Sequence, residues 1–114
     1  MTDGAPAFEP LNSLLRGDRE RIRRTLDIFL RVTREDLRQL DGAHAGGDWK
    51  KIAQLMHKTK SACLQIGERA AAEAAVAVER AAADPDTRAR AYAIVREELE
   101  RVEERVARYL AMES

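Results

Sequence analysis

The chain has a single cysteine, Cys63, among 114 residues, which leaves no disulfide framework and no cysteine-based zinc site. Aromatic residues make up only 4%, and β-branched residues are sparse outside one valine-containing stretch, so little in the chain favours strands. Net charge is also lacking. Twenty Lys and Arg offset twenty Asp and Glu, which argues against a nucleic-acid binder driven by phosphate neutralisation. No apolar run is long enough to span a bilayer, and "MTDGAPAFEP" lacks the basic-then-apolar pattern of a secretion signal. No membrane association is expected, and the cytoplasm is the expected location.

Ala, Leu, Glu and Arg are abundant instead, and all are strong helix formers. The length fits one domain with a single core. Residues 1–7 read as a loose tail and 8–112 as an all-α domain. A short helix is expected over 8–15, with Pro10 near its first turn. Asp18 is placed to cap a long helix reaching about Leu40, and "DGAHAGG" (41–47) reads as a loop. Asp48 caps the next helix, which ends near Gly67, a C-terminal glycine. An alanine-rich helix over about 68–83 follows. Asp84 and Pro85 then open a last helix running to about Ala111. Short connections make the four long helices an antiparallel up-down-up-down bundle with a short extra N-terminal helix. In the last helix Tyr92, Val95, Leu99, Val102, Val106 and Tyr109 form the core seam. The same spacing fits a dimerising coiled coil, but the run is short, and a monomer is expected.

Charge is neutral overall but uneven. "RGDRERIRR" (16–24) is basic, as are Lys50, Lys51, Lys58 and Lys60, while "REELERVEE" (96–104) is acidic. A local basic face implies a local acidic partner. On the helix from 48 to 67, Ile52, Leu55, Met56, Thr59, Ala62, Cys63 and Ile66 make the buried stripe. His57 lies about 160° from its centre and faces solvent. A core histidine would lie on the stripe, so the plain alternative is an incidental surface histidine. Its patch argues against that alternative. Ala53 and Gln54 lie one turn before, Lys60 and Ser61 one turn after, and Leu64 two turns after. Small side chains leave the imidazole accessible, an exposed leucine beside it suits docking, and Lys60 can stabilise an added phosphoryl group.

Other chemistries lack their residues. A di-iron bundle needs paired Glu-x-x-His motifs, and the chain has none. His44 falls in the glycine-rich segment and reads as incidental. Cys63 lies on the core stripe, away from His57, as an inert small hydrophobe. Ser61 and His57 share a face, but no acidic third member is expected beside them, and a helix surface offers no oxyanion hole. No glycine motif cradles phosphates, so no ATP site is expected.

"HKTKSACLQIG" (57–67) resembles the acceptor signature of histidine-containing phosphotransfer (HPt) domains, written H-x-x-K-G-S-A-x-x-x-G, with His57, Lys60 and Gly67 in register. "FEPLNSLLRGD", "LDIFL" and "GGDWKKIAQLMH" resemble the family's flanking helices, so the likeness covers about residues 8–111. Ser61 stands where the family usually has glycine. The resemblance implies a relay in which His57 accepts a phosphoryl group from a receiver-domain aspartate and passes it to another. Implied partners are response-regulator receivers and a hybrid sensor kinase. The receiver would supply Mg²⁺, with no cofactor or metal held by this chain and no ATP hydrolysis. Nε2, the more exposed nitrogen, would attack, and Gln54, one turn earlier, would orient Nδ1.

The docking face is expected to combine Ala53, Lys58, Ser61 and Leu64 with a patch on the helix from 18 to 40. There Ile22, Leu26, Phe29, Thr33, Leu37 and Leu40 form the stripe. Ile28 lies about 150° away, near Arg24 and Arg31. An apolar residue framed by arginines suits an apolar partner helix beside an acidic pocket. Two other readings stay open: an HPt-like scaffold that binds receivers or kinases without accepting phosphate, and an unrelated four-helix dimerisation module.

Overall fold

Three of the four long helices begin where an aspartate side chain supplies the acceptor that the first-turn N–H groups lack. The computed structural model describes residues 8–81 and 83–112; the tail assigned to 1–7 lies outside them. Asp18 accepts from the Arg21 N–H at 3.2 Å and opens α2, Arg19–Ala45. Asp48 accepts from the Lys51 N–H at 3.0 Å and opens α3, Trp49–Gln65. Asp84 accepts from the Thr87 N–H at 2.9 Å and from its hydroxyl at 2.7 Å, opening α5, Pro85–Met112. A six-residue α1, Glu9–Leu14, precedes them, and α4, Arg69–Glu79, lies between α3 and α5. Among the described residues all regular structure is helical.

The four long helices close into an antiparallel bundle. α2 packs on α3, α3 on α4, α4 on α5, and α5 back on α2, while α1 covers one end against α3. The core takes Ile22, Leu26, Leu37 and Leu40 from α2 and Ile52, Met56, Cys63 and Ile66 from α3. Val78 joins from α4, with Val95, Leu99, Val102 and Val106 from α5. Leu30 is buried, whereas Phe29, placed on the stripe from sequence, is half-buried at its edge. Ala62 is likewise only half-buried. α4 contributes Ala71, Ala72, Ala74 and Ala75, all buried. Side chains this small let α4 lie close to its neighbours, since interaxial distance follows the residues at the contact.

Two boundaries differ from the sequence reading. α2 continues through Asp41 to Ala45, where a loop was expected. Tertiary contacts outweigh the roughly 1 kcal/mol that Gly42 costs a helix. Ala43 is buried, and the Asp41 carboxylate accepts from Tyr92 Oη at 2.9 Å and from Arg96 Nε and Nη2 at 2.8 and 2.9 Å. His44 stacks on the Tyr92 ring, 3.8 Å between centroids. α4 ends at Glu79, short of the expected 83.

Arg96, helped by the Tyr92 hydroxyl, holds Asp41 below its ordinary 3.8. A carboxyl depressed on folding adds stability above its unfolded pKa and loses it as pH falls through the folded one. The Asp41 side chain is 51% exposed, so solvent screening limits its worth. Asp41→Asn is expected to cost about 1 kcal/mol at pH 7, with the gap to wild type closing as thermal melts are taken below the carboxyl's ordinary range.

Gly67 ends α3 at φ 82°, where a Cβ would stand 3.0 Å from Pro10 Cδ of α1. Both the left-handed backbone and the close passage of α1 require glycine. Gly67→Ala is expected to cost about 1–2 kcal/mol, read as a lower Tm in circular dichroism.

Candidate functional site

The outer face of α3 follows from its inner one. With Ile52, Leu55, Met56, Thr59 and Cys63 buried, the helix turns His57 outward, and its side chain is 72% exposed. Its Nδ1 lies 3.0 Å from Oε2 of Glu79, the last residue of α4. A carboxylate can only accept, so Nδ1 carries the hydrogen and donates it. In the neutral ring, that tautomer leaves Nε2 unprotonated with its lone pair free. The other Glu79 oxygen, Oε1, is 4.0 Å from Lys60 Nζ. One carboxylate therefore holds the imidazole and lies near the ammonium beside it.

Glu79 is the residue that sequence reasoning missed, and it corrects two expectations. Gln54 is exposed, and Nδ1 is held from α4 rather than from one turn earlier on α3. The expected absence of an acidic residue beside His57 does not hold, because the fold brings Glu79 across from α4. Glu79 contacts Nδ1, and Ser61 on a bare helix face still has no oxyanion hole. A signal was present: Glu79 follows Ala71 and Ala75 at four-residue steps, so it continues a buried stripe with a charge.

Around the imidazole, Ser61 and Leu64 are exposed, Leu64 at 48%, and Ala53 is half-buried. Lys58 points the other way and donates to Asp36 of α2 at 3.1 Å. Between α2 and α3 runs an apolar groove of about 190 Å³, lined by Ile28, Phe29, Val32, Ala62, Gln65 and Ile66 among others. Ile28, 55% exposed, forms its rim as the helical angle implied. Arg24 and Arg31 bond acids on their own helix, Glu20 at 3.2 Å and Asp27 at 2.6 Å. Cys63 is fully buried, and desolvation pushes its thiol up to about 12, far from a reactive thiolate. Among the described residues no three of His, Cys, Asp and Glu gather as a metal-binding group. No helix among them is long and apolar enough to cross a membrane.

The Hpt domain family matches residues 24–110, most of α2 through nearly all of α5. The chain belongs to the Hpt domain family. At the level of the family, the match supports a histidine phosphotransfer role in a two-component phosphorelay. The chain is similar to the Virulence sensor protein BvgS of Bordetella bronchiseptica, at 28% identity over 81 residues. The same protein of Bordetella parapertussis matches to the same extent. Each match covers 71% of this chain but only 6% of the relative. No solved structure matches it. The Hpt match includes α3 with His57 and Lys60 and the end of α4 with Glu79, and leaves α1 outside.

Proposed function

We propose that this Hpt domain is a phosphocarrier between receiver-domain aspartates, with His57 as the acceptor. The observation that carries the reading is the His57 Nδ1–Glu79 contact at 3.0 Å on a ring that otherwise faces solvent. In transfer, the Nε2 lone pair attacks phosphorus of an aspartyl phosphate. The N–P bond forms as the acyl P–O bond breaks, and the aspartate leaves as a carboxylate. The Nδ1 hydrogen stays directed at Glu79, which balances the positive charge that develops on the ring. Lys60, 4.0 Å from Glu79 and only partly engaged there, is placed to turn its ammonium to the phosphoryl oxygens. Transfer to a second receiver reverses these bond changes. Mg²⁺ belongs to the receiver in this scheme.

The test is to charge a hybrid-kinase receiver domain with acetyl phosphate and mix it with the protein. Label should appear on this chain and be lost in acid, as phosphoramidates are. Ser61, at the position of the family's glycine, favours a second reading, a scaffold that docks receivers without accepting phosphate. Binding without label for every receiver tested would establish that reading instead.

A further inference from the structure

On the side of α3 away from Glu79, the α2–α3 groove ends in the Lys58–Asp36 pair, Nζ to Oδ1 at 3.1 Å. The pair is asymmetric. The Asp36 side chain is only 11% exposed, whereas the Lys58 side chain is 60% exposed. Arg24 and Arg31 differ: their acids, Glu20 and Asp27, are 80% and 50% exposed, so an approaching surface meets both signs together. At Lys58 the acid lies beneath and the ammonium above, and an approaching surface meets a cation alone. One of the ammonium's three donors is taken by Asp36, which leaves the others for a partner. Without that anchor the flexible four-carbon stem would carry the charge over many positions.

Asp36 lies on the buried face of α2. It sits among Thr33, Leu37 and Leu40 on the stripe that packs the core. Its carboxylate is the polar end of an otherwise largely apolar groove. Ala62, which forms the opposite wall, lies one turn along α3 from Lys58, about 6 Å.

We propose that Asp36 is a positioning residue for partner docking: from its buried place on α2 it fixes the Lys58 ammonium at the end of the groove, to receive a carboxylate that lies one helical turn from the apolar residue a partner helix seats between Ile28 and Ala62. The inference rests on the phosphotransfer reading for the kind of partner, a receiver domain, and it is read by binding rather than by chemistry. It makes a prediction opposite to that of simple charge. Asp36→Asn removes a negative charge beside an acid-seeking surface, so steering alone would tighten binding. Positioning requires that binding weaken.

The experiment measures the Kd of an unphosphorylated hybrid-kinase receiver domain by fluorescence anisotropy, for wild type, Asp36→Asn, Lys58→Met and the double variant. Single-turnover transfer at saturating receiver and direct labelling of His57 by phosphoramidate are measured alongside. Lys58→Met keeps the apolar stem but leaves the Asp36 carboxylate without its cation, so thermal melts check both single variants, and the double variant carries no unpaired charge. Each single variant is expected to raise Kd by about tenfold at low salt. The double variant should be no worse than Lys58→Met, and saturated transfer and phosphoramidate labelling should be unchanged. Unaltered binding by Lys58→Met, tighter binding by Asp36→Asn, or an undiminished effect of Asp36→Asn in the Lys58→Met background each overturns the proposal. A wild type that binds the receiver but takes no label sinks the phosphocarrier reading, while the Kd series still decides the role of Asp36.

Discussion

Replacement of His57 by glutamine is expected to abolish the acid-labile label while leaving the fold intact. Glutamine keeps a polar side chain of similar reach, but its amide nitrogen has no lone pair free to attack phosphorus. The side chain is 72% exposed and packs against nothing in the core, so the stability change should stay within about 0.5 kcal/mol, as for ordinary surface substitutions. Loss of label with an unchanged melt therefore reads as chemistry. The other histidine, His44, is poorly suited to replace it, because its ring lies flat on Tyr92 at 3.8 Å near the C-terminal end of α2. Wild-type labelling in His57→Gln would place the acceptor elsewhere and end the proposed mechanism.

Glu79→Ala is expected to slow transfer by about ten- to a hundredfold at saturating receiver, with little change in docking. Two effects combine. Without the carboxylate the imidazole divides between tautomers and orientations, and the charge that develops on the ring loses its counter-ion. A buried carboxylate–imidazole pair can lose ~10⁴ in rate on such a change. The His57 ring is well hydrated, and water replaces part of what Glu79 supplied, so the loss here is smaller. Glu79→Gln keeps an acceptor oxygen for Nδ1 but not the charge, and should fall between alanine and wild type. A wild-type rate for Glu79→Ala would mean that Nδ1 needs no partner from α4, and attention would return to Gln54.

The helices were legible wherever local chemistry decides them. Asp18, Asp48 and Asp84 cap where their spacing says they should, and the outward aim of His57 followed from the residues buried around it. The end of α2 was not legible. "DGAHAGG" carries the composition of a loop, and what keeps Asp41–Ala45 helical comes from Tyr92 and Arg96, more than fifty residues away. The site divides along the same line. His57, Lys60, Ser61 and Leu64 share one helix, and their relation is fixed by 100° per residue. Glu79 and Asp36 reach α3 from other helices, and only packing brings them there. Both left the same mark in the sequence, an acid on a stripe of otherwise buried positions. An acid at such a position has to find a cation or a donor across the interface.

Glu79 on one flank and Asp36 on the other also limit how α3 can roll about its own axis. A roll toward α4 lengthens the Lys58–Asp36 contact, and a roll toward α2 pulls His57 from Glu79, so the azimuth of the imidazole is held from both sides. Exchange of side chains along the outer face leaves that azimuth alone. A change of length does not. One residue inserted between Asp48 and His57 turns everything beyond it by about 100° relative to the cap. Either His57 swings away from Glu79 or the buried stripe is dragged out of the core. The segment from Asp48 to His57 should therefore accept many substitutions on its outer face among related chains and almost no insertion or deletion.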